Sequence, residues 1–179
     1  MTRYAAMLRG INLGKRQLKS AELKAVVEAM GFTDVKPVLA SGNVVFEAGD
    51  AQPDAIERDL HAALERATGL KSDVFVRSGA DLAKVIAANP FPDEARDRPS
   101  FLVVAFHKAP VDQAAIARVA SGYAGPERMI AIDRELYTDY PDGQGRSNLP
   151  PLLQKSKLSQ GNTARNWNTV SKLAALLAD

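Results

Sequence analysis

Arg77-Ser78-Gly79-Ala80-Asp81-Leu82-Ala83-Lys84-Val85 and Arg165-Asn166-Trp167-Asn168-Thr169-Val170-Ser171-Lys172-Leu173 decide the fold. Arginine, a polar residue, an apolar residue, lysine and a second apolar residue recur at a constant offset of 88 positions, although the residues between them differ. Each stretch closes an extended run (73–77 and 163–165) and opens a helical one, with Ser78 or Asn166 at the junction where a short polar side chain caps free amides. The same order of elements precedes both. In the first half, 4–9 reads as a buried strand, and Leu23, Val26, Val27 and Met30 form one face of a helix that starts at Ser20 and stops at Gly31. Runs 35–40 and 43–47 form a hairpin about Ser41-Gly42, and Pro53 opens a helix striped by Ile56, Leu60, Leu64 and Ala67. In the second half a strand at 101–106 leads to a helix marked by Ile116, Val119 and Ala120. A hairpin turning at Asp133-Arg134 follows, and Ser147 caps a helix that takes Pro150 and Pro151 in its first turn.

Both halves therefore read β-α-β-β-α-β with a further helix. The fold class is α+β: two ferredoxin-like units from an internal duplication, packed together because halves of this size are marginal alone. Pro90, Pro92 and Pro99, with charges between them, place the boundary so that the repeats cover 1–98 and 99–179.

Composition narrows the chemistry. The 179 residues are 46% hydrophobic and 25% charged, which excludes disorder, and no apolar run is long enough for a membrane helix. Only four apolar residues separate Tyr4 from Arg9, too few for a secretion signal. The absence of cysteine excludes disulfides, thiol catalysis and thiolate metal sites, and fits a reducing cytoplasm. A cytoplasmic protein is the expectation. His61 and His107 have no visible serine or carboxylate partner, and two histidines without cysteine do not make a zinc site. Asp139 and Asp142 could hold magnesium, but two acids in a turn are more often solvated, so no metal and no cofactor is expected.

Net charge is only +2, from 23 basic and 21 acidic residues, yet it is unevenly spread. Residues 1–21 hold Arg3, Arg9, Lys15, Arg16 and Lys19 with no acid; 143–178 hold Arg146, Lys155, Lys157, Arg165 and Lys172 with no acid. Such segregation creates a local positive field, whereas near-neutrality overall argues against an extended nucleic-acid surface. The polar motifs coincide with these segments or with the hairpin. Arg9 and Asn12 lie where the first strand opens into a glycine-rich loop, Ser41 and Asn43 at the hairpin tip, Arg146 between two glycines and a helix start. Arg165, Asn166, Trp167 and Asn168, with Lys172 a turn later, exceed what capping alone requires. The expectation is a small anionic ligand, nucleotide-like or phosphorylated, in a cleft between the halves. Arg9, Arg146, Arg165 and Lys172 would neutralise it, Asn12, Ser41, Asn43, Asn166 and Asn168 would supply hydrogen bonds, and Trp167 an apolar wall. Turn geometry and helix capping remain the alternative use of these residues. An enzyme working by electrostatic stabilisation through Arg165, and an interaction module without a pocket, are the rival functions.

Leu8-Arg9-Gly10-Ile11-Asn12, Ser41-Gly42-Asn43-Val44-Val45-Phe46, Tyr140-Pro141-Asp142-Gly143 with Gly145-Arg146-Ser147, and Thr163 with Arg165-Asn166-Trp167-Asn168-Thr169-Val170 also carry a resemblance. In that order, over essentially the whole chain, they resemble a bacterial family catalogued as domain of unknown function 1697. The resemblance implies two ferredoxin-like repeats and implies no activity, substrate or cofactor. After Ser147 the family usually continues with lysine, leucine and threonine. This chain has Asn148-Leu149-Pro150, so a cationic contact there would fall to Lys155 or Lys157.

Overall fold

Alternation along the central strands builds the core. In β1 (Arg3–Leu8), Tyr4, Ala6 and Leu8 point to one face of the sheet and Ala5 and Met7 to the other, and all five are buried. The computed structural model describes residues 1–11, 17–39, 42–158 and 161–178. Two compact units emerge: Met1–Lys84 together with Lys172–Asp179, and Val85–Ser171.

The first unit runs β1, α1 (Ser20–Ala29), β2 (Thr33–Val38), β3 (Asn43–Glu47), α2 (Pro53–Thr68), β4 (Val74–Ser78) and the start of α3 (Gly79–Ala87). Its sheet is antiparallel in the order β2-β3-β1-β4. Leu23 and Val27 of α1 and Ile56, Leu60 and Leu64 of α2 pack on Tyr4, Ala6, Leu8, Val44, Phe46, Val74 and Val76. Each fully buried leucine contributes about 2 kcal/mol. The β2–β3 turn requires glycine at 42. Its φ is +73°, and a Cβ there would come within 2.3 Å of Ile11. β2 ends at Val38, short of the run to 40 that the sequence suggests, because Leu39 takes a left-handed φ of 60°.

The second unit follows with α4 (Pro92–Asp97), β5 (Leu102–His107), α5 (Gln113–Ser121), β6 (Arg128–Ile132), β7 (Glu135–Asp139), a single 3-10 turn (Gln144–Arg146), α6 (Leu149–Lys155), β8 (Asn162–Asn166) and α7 (Trp167–Leu177). Strand order is β6-β7-β5-β8, the same antiparallel pattern. The chain is thus a duplicated α+β protein of two ferredoxin-like units, each with an added helix after its last strand.

The repeated stretch is equivalent in detail. Arg77 stands opposite Ala5 as Arg165 stands opposite Val104. Arg77 Nη1 donates to the Val76 carbonyl (3.1 Å), and Arg165 Nη1 donates to the Ala164 carbonyl (2.8 Å). Ser78 Oγ accepts from the Asp81 amide and Asn166 Oδ1 from the Thr169 amide, so both polar residues cap as their spacing predicts. The proline-rich stretch holds more order than its composition suggests. Pro92 fits the first turn of α4, where its missing amide costs nothing, and Asp93 and Glu94 favour that helix end. Among the described residues, no helix is long and apolar enough to cross a membrane.

Candidate functional site

The antiparallel order of the second sheet gathers one polar end. Arg128 is opposite Asp139, Asp139 opposite Leu102, and Val103 opposite Asn166, so β6 and β5 begin where β7 and β8 finish. Two main-chain bonds tie the motif segments to the chain entering β5: Tyr140 N donates to Phe101 O (3.0 Å) and Trp167 N to Pro99 O (3.1 Å).

Most charge here is internally matched. Asp139 is fully buried and accepts a two-pronged bond from Arg98 (Nε 3.0 Å, Nη2 2.7 Å), with Arg128 Nη2 at 3.4 Å. Arg128 also bonds Glu94 and lies over the Phe91 ring, 4.9 Å from its centroid. These contacts pin α4 to β6 and β7. The network escaped the sequence reading because its members lie as far apart as positions 94 and 139.

A second cluster surrounds Glu127. Burial pushes its carboxyl up, but bonds from the Ser147 and Tyr123 hydroxyls and its own amide outweigh this and hold it below its ordinary value. Ser147 Oγ also accepts from the Leu149 amide, capping α6 from two residues ahead of its first residue, just before the N-cap Asn148. The Gly143–Ser147 loop is therefore anchored at its end by Glu127. At its start Gly143 takes a φ of +85° and lies against the Phe101 ring, which a Cβ at that position would meet at 3.5 Å.

All four tyrosines of the chain ionise above the ordinary value. The bond to Glu127 raises Tyr123 first, burial raises Tyr4 and Tyr137, and burial followed by the Glu127 charge pushes Tyr140 up to about 12. Unfolded tyrosines titrate near about 10, so the tyrosine contribution to stability is complete below that pH and is lost as pH rises toward the folded values. Absorbance of tyrosinate followed alongside circular dichroism should show ionisation coinciding with unfolding. An ionisation step at the ordinary value with the fold intact would contradict these environments.

The sequence-nominated residues divide between the two units. In the first, Arg9 is half-buried after β1, its amide donating to Asp73 O (3.0 Å) and its carbonyl accepting from Ser72 Oγ (2.7 Å). Asn43 is buried and donates to Val38 O (3.1 Å), bracing the hairpin. Asn12 and Ser41 lie outside the described residues. In the second, Arg165 is buried, with Nη1 bonded to Thr163 Oγ1 (2.7 Å) as well as Ala164 O, and burial lowers its pKa to about 10. Asn166 caps α7, Trp167 is buried, and Asn168 and Arg146 are exposed. Lys172 is exposed one turn further along α7, where the chain passes back into the first unit. Among the described residues, no cluster of three or more His, Cys, Asp or Glu side chains could hold a metal ion.

Two ferredoxin-like repeats define the class of protein. The chain belongs to the family "Protein of unknown function (DUF1697)", whose model matches residues 1–137. It is similar in fold to a conserved bacterial protein from Streptococcus pneumoniae, with a TM-score of 0.79 and 23% identity over 99% of this chain and 98% of that one. No curated protein matches it.

Proposed function

We propose that the chain binds a small phosphorylated or nucleotide-like anion, and that Arg146 of the Gly143–Ser147 loop is the side chain that neutralises it. The carrying observation is a contrast among the arginines of this sheet end. Arg98 and Arg128 are committed to Asp139 and Glu94, and Arg165 is turned onto Thr163 and a backbone carbonyl. Arg146 is exposed and, among the described residues, has no acid within ion-pair distance. Its loop is held from both sides, so a ligand meets a guanidinium whose main chain is already placed. A planar fork of donors suits phosphate oxygens.

The test is a thermal-shift and calorimetric panel of inorganic phosphate, nucleoside phosphates and sugar phosphates on the wild type, Arg146→Ala and Arg146→Glu. A binding anion at about 100 times its dissociation constant should add about 2.7 kcal/mol to wild-type stability. Arg146→Glu should abolish the shift, and Arg58→Ala, on the exposed side of α2 where that arginine is paired with Asp59, should leave it intact. A shift undiminished in Arg146→Glu, or none with any anion, rejects the reading.

A further inference from the structure

Each sheet has one outer strand from its hairpin, β2 in the first unit and β6 in the second, and the duplication makes them directly comparable. Lys36 pairs with Val45, which pairs with Ala5 opposite Arg77; Ile130 pairs with Tyr137, which pairs with Val104 opposite Arg165. Lys36 and Ile130 are thus equivalent, as are Pro37 and Ala131. β2 carries three recognised protections of an edge: a lysine, a proline and a register irregularity between Thr33 and Lys36. β6 has none of these. Its five residues pair in unbroken register with β7, and Ile130 is 41% exposed in the position where β2 has its lysine. Arg128, the one charge in β6, is drawn back to Glu94 and Asp139.

We infer that β6 is an association edge and that its occupant is a second copy of this chain, paired antiparallel about Ile130. The Ala131 carbonyl accepts from the Gln113 side chain (2.8 Å), so the backbones of Ala131 and, two residues back, Met129 point away from β7. Outward residues pair only with outward residues, which sets Met129 against the other copy's Ala131 and places Ile130 on its own equivalent. That central pair is of the non-hydrogen-bonded kind, with Cα atoms about 4.5 Å apart and side chains in contact. Self-pairing therefore removes an exposed isoleucine from water and opposes no like charges, since Arg128 falls opposite Ile132. The same pairing by β2 would stack lysine on lysine. Gln113 occupies the last outward carbonyl as a flexible side chain that a backbone amide can displace. A five-residue edge buries less than stable dimers need, so the association is transient and appears at high protein concentration.

The inference is independent of the anion site. Its test is sedimentation velocity with amide NMR on the full chain from about 10 μM to about 1 mM. The average mass should rise with concentration, the Met129 and Ala131 amides should shift with it, and Ile130→Lys should hold the protein monomeric while Ile130→Val preserves the rise. Because Ile130 is exposed, both variants should fold, and circular dichroism checks this. A mass that stays monomeric throughout, or a dimer that survives Ile130→Lys, overturns the inference.

Discussion

Asp139→Asn should lower the thermal midpoint by roughly 5–10 °C, among the larger effects of any single polar substitution among the described residues. The carboxylate is fully buried at the end of β7, and its desolvation is offset by the two-pronged bond from Arg98 and the approach of Arg128. Neutralising it takes the charged partner from Arg98, which is 37% exposed and keeps part of its hydration, so the cost is about 2–3 kcal/mol, below that of a pair with both charges buried. The loss propagates because Arg128 holds Glu94 and Arg98 lies at the end of the same helix, so α4 loses its anchor to the sheet. Asp97→Asn is the control. Asp97 pairs with Arg96 on the exposed side of α4, where water and salt screen the ion pair and its loss should be hard to detect. Added salt should narrow the gap between wild type and Asp139→Asn only in part, since the carboxylate is buried while the Arg98 and Arg128 side chains reach solvent. Equal midpoints for the two variants would show that the network is not what holds α4.

How far the sequence could carry the reading follows from the range of each interaction. The duplication was legible because arginine, cap, apolar residue and lysine lie within nine positions of one another, and both caps form as their spacing requires. The Asp139 network was not, since an acid before Tyr-Pro-Asp looks like a solvated turn until the hairpin sets it opposite Arg128 and beside Arg98. Glu127 is equally silent in the sequence. Nothing near it in the chain announces that Ser147, twenty positions on, returns to bond it. Strand arginines present a different limit: periodicity assigns Arg165 to a face of β8 but cannot say whether the guanidinium meets a ligand or a carbonyl of its own strand. The structure gives it the Thr163 hydroxyl and the Ala164 carbonyl, while Arg146, nominated from its glycine-flanked loop, has an exposed side chain.

Arg77→Ala should cost about 3–5 kcal/mol, with Arg77→Lys recovering only part of it. Arg77 is the largest fully buried side chain among the described residues, on β4 directly opposite Ala5. Truncation removes most of a long side chain from a close-packed environment and deprives the Val76 carbonyl of its donor, so cavity and hydrogen-bond losses add. Lysine keeps the charge and much of the stem but not the planar fork, which is why rescue should be partial. The repeat makes the same demand of Arg165. Arg165→Ala should lower the stability with no anion present, through loss of its bonds to Thr163 and Ala164, whereas Arg146→Ala should leave the ligand-free stability within about 0.5 kcal/mol of wild type. Urea unfolding of Arg77→Ala, Arg77→Lys, Arg165→Ala and Arg146→Ala in phosphate-free buffer separates the two uses of arginine. Stability losses in the strand variants together with silence at 146 assign Arg77 and Arg165 to the fold and leave Arg146 to the ligand. An Arg165→Ala protein as stable as wild type would instead return that guanidinium to the anion site.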